Sequence, residues 1–416
     1  MNMGKKIITY LMYLYIILLP LLPSKYSIKG IPFNGDSILA VIIALYFITV
    51  LLFKETRIRF IKGIKNFFTN YLTLFMFIFI VIMFISVSYA TDKKVALSET
   101  IRFCTYIAMF FIVKYELNEK RIIKNILYVY LTTVSLVGVI GLWEYNFGIG
   151  FIQKSEHGVR NRIFSTLENS NNLGAFMILA IFPLIMLALN EKNRRKKVIF
   201  SVLSLIAFLN IILSYSRNAW LVFVIGCMIL GVIYSWKVII GLIALGAGSL
   251  FVPSISARIM EFSDKTQNLS RIKLWDIAIF MIKDHPIRGI GNGNYRVLYD
   301  KYKLQLKQKI EYYPTEKFHP HNILLKVQTE LGIFGSLAFI AVMISIIMRC
   351  INFIKTVNER FYTPFFKGFM ASLIAFMCMN FIDNFFSAPK VIAFFWLLIS
   401  CFEAYMYKVK KEGDLY

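Results

Sequence analysis

Runs of some twenty apolar residues recur along this chain, and no other feature limits its fold so sharply. A helix needs about 20 mostly apolar residues to cross roughly 30 Å of hydrocarbon, where a spanning backbone must satisfy its own polar groups. About twelve such runs are legible, near residues 7–23, 36–53, 69–89, 97–114, 123–143, 173–189, 198–213, 217–234, 237–253, 323–348, 364–384 and 388–407. With 58% hydrophobic and 17% charged residues, and a mean hydropathy of +0.64, the chain lies outside the range of soluble domains. The sequence predicts an all-α polytopic membrane protein, a single integral domain over residues 1–416. No small-residue cleavage site follows the first run, so it is expected to stay as a helix.

A net charge of +24 would point to nucleic acid in a soluble chain, but here the placement of charge matters more. Basic stretches alternate with nearly neutral ones: "FKETRIRFIKGIKN", "KYELNEKRIIK", "NEKNRRKK", "MRCINFIKTVNER" and "YKVKKEGDLY" fall on one face. With Lys5, Lys6 and Lys237 they carry roughly 23 Lys and Arg, against roughly eight in the short loops opposite. Basic loops stay cytoplasmic, so both termini are expected in the cytoplasm, with no nucleic-acid partner. The five cysteines lie in or beside apolar runs and form no CxxC pair. They read as small apolar side chains, with neither a disulfide framework nor a metal site.

Two connections on the other face exceed short turns: residues 145–172, and 254–322 between the ninth and tenth runs. Loops of that length are usually functional. In the second, "LSRIKLWDIAIFMIKDHP" puts Ile272, Trp275, Ile279, Phe280 and Ile282 at near-helical spacing, with Arg271, Lys273, Asp276 and Lys283 mostly elsewhere. That pattern predicts an amphipathic helix against the membrane surface or the bundle. Pro286 and the glycines of "RGIGNGN" end it. The glycine run follows a helix rather than a strand, so it reads as a turn and not as a nucleotide fingerprint. Within the bundle, Glu99, Arg102, Glu144, Lys326, Glu330, Asp383 and Glu403 fall mostly within a turn or two of a run's end. A transporter's midplane relay is not evident, and chemistry is sought on the external face.

Three features there carry a functional signal: Arg217 in "SYSRNAW", Arg271 in the long loop, and His321 with Asn322 in "FHPHNILLKVQTELGIFG". Two guanidiniums and an imidazole at headgroup level suit a substrate bearing phosphates, because arginine offers a planar fork to phosphate oxygens and histidine takes up a proton near neutral pH. Structural readings stand beside this one. Arg217 and Arg271 fit headgroup contacts, and His321 and Asn322 fit a helix cap after Pro320. His319 and His321 form an HxH pair that supplies two ligands, with no cysteine or clustered carboxylate to complete a site, so no metal is expected.

His321, Asn322, nine residues, Gly332, two residues and Gly335 follow a spacing shared by O-antigen ligases. Together with "SYSRNAWLVF" and "SRIKLWDIAIFMIKDHPIRGIGNGNYR", in order and at plausible separations, they make the chain resemble the wider superfamily of O-antigen ligases and polymerases. "RIFSTLENSNNLGAF" is a weaker likeness, with Ser170 where the family usually has proline. The resemblance covers about residues 155–345, the ligase-like core region. It implies glycan transfer from an undecaprenyl diphosphate carrier to an acceptor hydroxyl on lipid A core, a protein or another glycan. The reaction would run among membrane lipids on the external, periplasmic-side face of the bacterial cytoplasmic (inner) membrane.

The resemblance further implies a metal-independent, inverting glycosyltransferase without a cofactor. Arg217 and Arg271 would hold the diphosphate and His321 would deprotonate the acceptor. Arg160, Arg162, Arg288, Asn322 and His319 are further substrate-binding candidates. A surface polysaccharide polymerase with the same chemistry is one alternative. A lipid-linked glycan flippase or permease is another, against which stand the large external loop and the sparse bundle interior.

In a cysteine-free background, Asp300→Cys is expected to react with an impermeant maleimide from outside the cell, and Arg195→Cys only after permeabilisation. The reverse labelling would overturn the placement of the external face.

Overall fold

The computed structural model describes residues 3–23, 27–28, 31–32, 34–155, 158–237, 239–241, 255–256, 265–306 and 319–412. The helices are α1 (Met3–Leu21), α2 (Gly35–Leu52), α3 (Lys54–Thr69), α4 (Tyr71–Tyr89), α5 (Lys93–Phe111, continued by a π turn Ile112–Glu116), α6 (Lys120–Asn146), α7 (Ser170–Asn190), α8 (Arg194–Leu213) and α9 (Arg217–Ile233). They continue with α10 (Lys265–Asp284), α11 (Tyr295–Gln305), α12 (Ile323–Thr356), α13 (Tyr362–Met379) and α14 (Pro389–Glu412). Two antiparallel hairpins interrupt them: β1 (Ser27–Ile28) with β2 (Ile31–Pro32), and β3 (Phe151–Ser155) with β4 (Gly158–Arg162), in which Arg160 lies opposite Gln153.

Ten of these helices are long and apolar enough to cross a membrane, and α9, at 17 residues, falls just short of that length. The protein is a multi-pass, all-α membrane protein. Eleven of the twelve expected runs coincide with helices, while most of the run at 237–253, from residue 242 on, lies outside the described residues. α7, α13 and α14 occupy the centre of the bundle, whereas α2, α4 and α8 turn most of their surface outward.

The segment "FKETRIRFIKGIKN", expected as a connecting loop, is largely the helix α3. It packs at the end of α5, where the backbone widens into the π turn and carries Lys114 and Glu116 inward. Lys114, buried to 1% exposure, donates to Glu403 at 2.9 Å. Arg349 donates to both Glu403 oxygens, and Arg59 donates to both Glu116 oxygens at 2.8 Å. These pairs tie α3, α5, α12 and α14 together at the end of the bundle remote from His321. Removing one partner of such a pair leaves a buried charge, at a cost of about 3–5 kcal/mol. The bundle is therefore less sparse in charge at this end than the sequence reading held.

At the other end α12 is two helical segments joined at Gly332, whose φ of 66° and ψ of −165° break the spiral. Backbone carbonyls released by the break accept from a neighbouring loop: Thr329 O from Ile290 N and Glu330 O from Gly291 N, each at 2.9 Å. Ile333 N donates in return to Ile287 O at 3.2 Å. The "RGIGNGN" turn is thus a clasp on a broken helix, and both sides need glycine. A Cβ on Gly332 would lie 2.0 Å from Ile287 O, and one on Gly289, at φ +69°, 2.5 Å from the Glu330 carbonyl carbon.

The amphipathic helix of the long loop forms as α10, but on a different face from the expected one. Leu274, Ile277, Ala278 and Met281 are fully buried against Tyr295, Tyr299 and Tyr302 of α11, while Ile272 and Ile279 stay exposed. Spacing alone selected the larger side chains. The position of α11 selected the face that packs.

Gly332→Ala should lower stability by more than about 2 kcal/mol, since an unfavourable φ alone costs on the order of 1–3 kcal/mol and a backbone clash adds to it. Gly148→Ala has the same φ of +66° with nothing within 4 Å of the new Cβ, so it should show the backbone strain alone. Melting temperatures of the two variants in detergent make the comparison, and equal losses would contradict the clasp.

Candidate active site

The loop of residues 380–388, between α13 and α14, is sewn to the start of α12. Ile323 N donates to Asn380 O at 2.9 Å, and Asn322 Nδ2 donates to Phe381 O at 3.0 Å. Asn322 also caps α12, its side-chain oxygen accepting from Leu325 N at 3.0 Å. This stitching sets Asp383 beside His321, with Nδ1 and Oδ1 2.7 Å apart. Asp383 is buried and also accepts from Asn384 N at 2.8 Å.

Burial pushes the Asp383 carboxyl up, but the charge and hydrogen bond of His321, with the charge of Arg271, bring it well below the usual carboxylate range. It is therefore ionised. An ionised carboxylate on Nδ1 fixes the proton there, which makes Nε2 the proton-accepting nitrogen. His319 is held at about pKa 3, by burial first and the charge of His321 second, and stays neutral. Its Nδ1 accepts from the backbone N–H of His321 at 3.3 Å. That bond restrains His321 in the left-handed conformation it adopts, at φ 46°.

Strain of this kind gathers around the site. Among the described residues, the non-glycine residues with positive φ are Ser165, Glu168, Tyr215 and His321, and such conformations persist only where surroundings over-determine them. Glu144, at the end of α6, does so for Ser165 by accepting from the backbone N–H groups of Phe164 and Ser165. The strand β4 ends in Arg162, which donates to Ser214 O at 3.0 Å and to Asn171 Oδ1 at 3.1 Å.

These loops enclose a cavity of about 370 Å³, lined by His319, His321 and Asp383 on one side and by Glu168, Asn169, Asn171 and Asn172 on the other. Lys390 closes it, donating to Thr166 O at 2.7 Å and pairing with Glu168 at 3.1 Å. Amides, an imidazole and an ammonium suit a ligand rich in hydroxyls with a negative charge.

The sequence-derived candidates are placed unequally. His321 and His319 belong to the wall just described, while Asn322 caps α12 and holds Phe381 O. Arg271 sits on α10, close enough for its charge to act on Asp383. Arg217 opens α9, and its neighbour Asn218 donates to Met379 O at 2.9 Å, just before the Asp383 loop. Arg162 reaches the cavity rim through Asn171, and the buried Arg160 lies with its guanidinium 6.0 Å from the Tyr215 ring. Arg288 is elsewhere, exposed on the clasp with its guanidinium 5.5 Å over Tyr89.

Asp383, Lys390 and Glu168 were not among the candidates. Asp383 had a legible signal, since "NFIDNFFSAPK" lies between two apolar runs at the end that bears His321. The absence of a carboxylate near HxH is corrected by the fold: donor atoms of His319, His321 and Asp383 lie within 4.8 Å of one another. The shortest of these contacts is the His321–Asp383 hydrogen bond, which a cation would have to replace.

Residues 202–340 match the family model of the O-antigen ligases. The chain is 25% identical over 246 residues to the O-antigen ligase of Salmonella typhimurium, covering 52% of this chain and 54% of that one. A putative polysaccharide ligase of Rickettsia felis is 27% identical over 241 residues, covering 54% of this chain and 58% of its own. These matches support a likeness to the O-antigen ligase superfamily. The chain spans little more than half the length of these curated relatives.

Within the matched region, the shared spacing after His321 acquires a physical reading. His321 faces the cavity, Asn322 caps the helix, Gly332 breaks it for the clasp, and Gly335, buried on α12, has no room for a Cβ beside Leu331.

His319 supplies a pH test. Its folded pKa of about 3 lies below the model-peptide value of 6.5, so on acidification the unfolded chain takes up a proton that the folded chain refuses. Stability is full above pH 6.5 and falls from there towards pH 3, by roughly 2 kcal/mol at pH 5. Asp383, also depressed, adds its loss only below about pH 4. Melting temperatures between pH 7 and 5 should fall less steeply for His319→Gln than for the wild type, and identical slopes would contradict the burial of His319.

Proposed function

We propose that this protein is a membrane glycosyltransferase of the O-antigen ligase type. It moves a glycan from undecaprenyl diphosphate to an acceptor hydroxyl on lipid A core, a protein or another surface glycan. The observation that carries the reading is the His321–Asp383 pair in an amide-rich cavity, at the membrane end of a long loop that also bears Arg271. The family match over residues 202–340 spans Arg217, Arg271 and His321 and supports it.

In the proposed step the acceptor hydroxyl gives its proton to His321 Nε2 as its oxygen attacks the anomeric carbon. The bond from that carbon to the diphosphate oxygen breaks, and its electron pair leaves with the diphosphate. Attack from the face opposite the leaving group inverts the anomeric centre. Asp383 balances the imidazolium that forms, as a buried carboxylate does for a catalytic histidine. Arg217 and Arg271 neutralise the charge that develops on the leaving group, a role preorganised guanidiniums fill without a metal. Arg162, bound to Asn171 of the cavity lining, and Arg160 would assist in binding substrate. The reading puts this face outside the inner membrane and both termini in the cytoplasm, with the basic loops.

Purified protein in detergent with lipid-linked glycan and acceptor should release undecaprenyl diphosphate, whereas a flippase or permease releases none. His321→Ala should lower the rate by about 10²- to 10⁴-fold beyond any loss of folded protein. Asp383→Asn should lower kcat and leave the KM of the donor close to that of the wild type. Undiminished release by His321→Ala overturns the assignment of the base. Metal independence fails if EDTA abolishes transfer and a divalent cation restores it.

A further inference from the structure

The helix α3 does more than join α2 to α4. Thr56, Gly63 and Phe67 face the bundle, and Gly63 fits against the rings of Phe111 and Tyr115. Asn66 and Arg59 fasten the same side, the first by accepting from Tyr115 Oη at 3.0 Å and the second on Glu116. Beside this fixed line, Phe60, Ile64 and Phe67 meet Tyr46 and Phe47 of α2 and Phe111 of α5 around an open cavity of about 210 Å³ with apolar walls. On the far side of α3, Lys54, Lys62 and Lys65 are exposed. Arg57 closes the α2 end by donating to Leu51 O at 2.6 Å.

We infer that this is a binding site for one anionic phospholipid, with an acyl chain in the cavity and its phosphate against Lys62 and Lys65. An apolar cavity gives water no partners and so favours a hydrocarbon occupant. Helices with an apolar flank and a lysine-rich face settle at the boundary of headgroups and acyl chains. A second copy of the bundle laid over the same place would bury two lysines without partners. A zwitterionic lipid fills the cavity but leaves the lysines uncompensated, whereas each cation near an anionic surface raises affinity by about fivefold. The site lies at the end of the bundle remote from His321 and does not depend on the transfer reading.

The test uses the full chain in nanodiscs of equimolar phosphatidylglycerol and phosphatidylcholine, released for native mass spectrometry, and needs no glycan. One phosphatidylglycerol should remain bound after phosphatidylcholine is lost. Lys62→Gln with Lys65→Gln should lower its retention by about 25-fold. Ile64→Trp, which fills the cavity, should abolish retention, and Ala108→Leu does the same from α5 should the first variant fail to fold. Equal retention of the two lipids overturns the inference. So does a phosphatidylglycerol adduct insensitive to cavity filling, which would mean surface attraction alone, or a dimer that shields the lysines.

Discussion

A backbone polar group that leaves its helix inside an apolar bundle must find another partner, and the site end of this protein is arranged around that constraint. Gly332 breaks α12 and releases carbonyls, which the glycine loop after α10 takes up. The exchange makes the long loop part of the bundle rather than an appendage. It fixes the first helical segment of α12, with His321 and Asn322 at its head, in depth and direction. The same accounting explains Glu144, whose carboxylate holds the strained turn at Phe164 and Ser165 and so supports the opposite wall of the cavity.

On this frame the proposed base is assembled from parts that have no local relation. His321 takes its charge partner from the α13–α14 loop and its backbone restraint from His319, two residues back. Charges at the other end of the bundle serve differently: Lys114, Glu403 and Arg349 satisfy one another and hold helices, while the exposed lysines of α3 look outward. One sequence thus uses ionisable groups as fasteners at one end and gathers them around a cavity at the other.

Much of the candidate site was legible because its residue types are rare in their setting. Histidine, asparagine and arginine beside apolar runs stand out, and Arg217, Arg271 and His321 were singled out that way; of these, His321 lines the cavity. Arg288 had the same signal, yet it stacks on Tyr89 on the clasp, since a guanidinium in a loop says nothing of the direction in which the loop carries it. Asp383 was passed over because a carboxylate near a helix end has an ordinary explanation. Its neighbour of consequence is 62 residues away in sequence.

The sequence by itself determined that the chain spans a membrane, nearly where each helix begins and ends, and which loops are basic. A hydrocarbon layer imposes a length and a composition on each segment separately, and a property of single segments can be read from the chain. It did not determine which face of α10 packs, that the basic loop after α2 is a helix, or that Gly332 is a break rather than a helical residue. Nor did it determine which carboxylate serves His321. Those are relations between segments, fixed only when the loops after α10 and α13 close on α12 and leave each polar group one partner within reach.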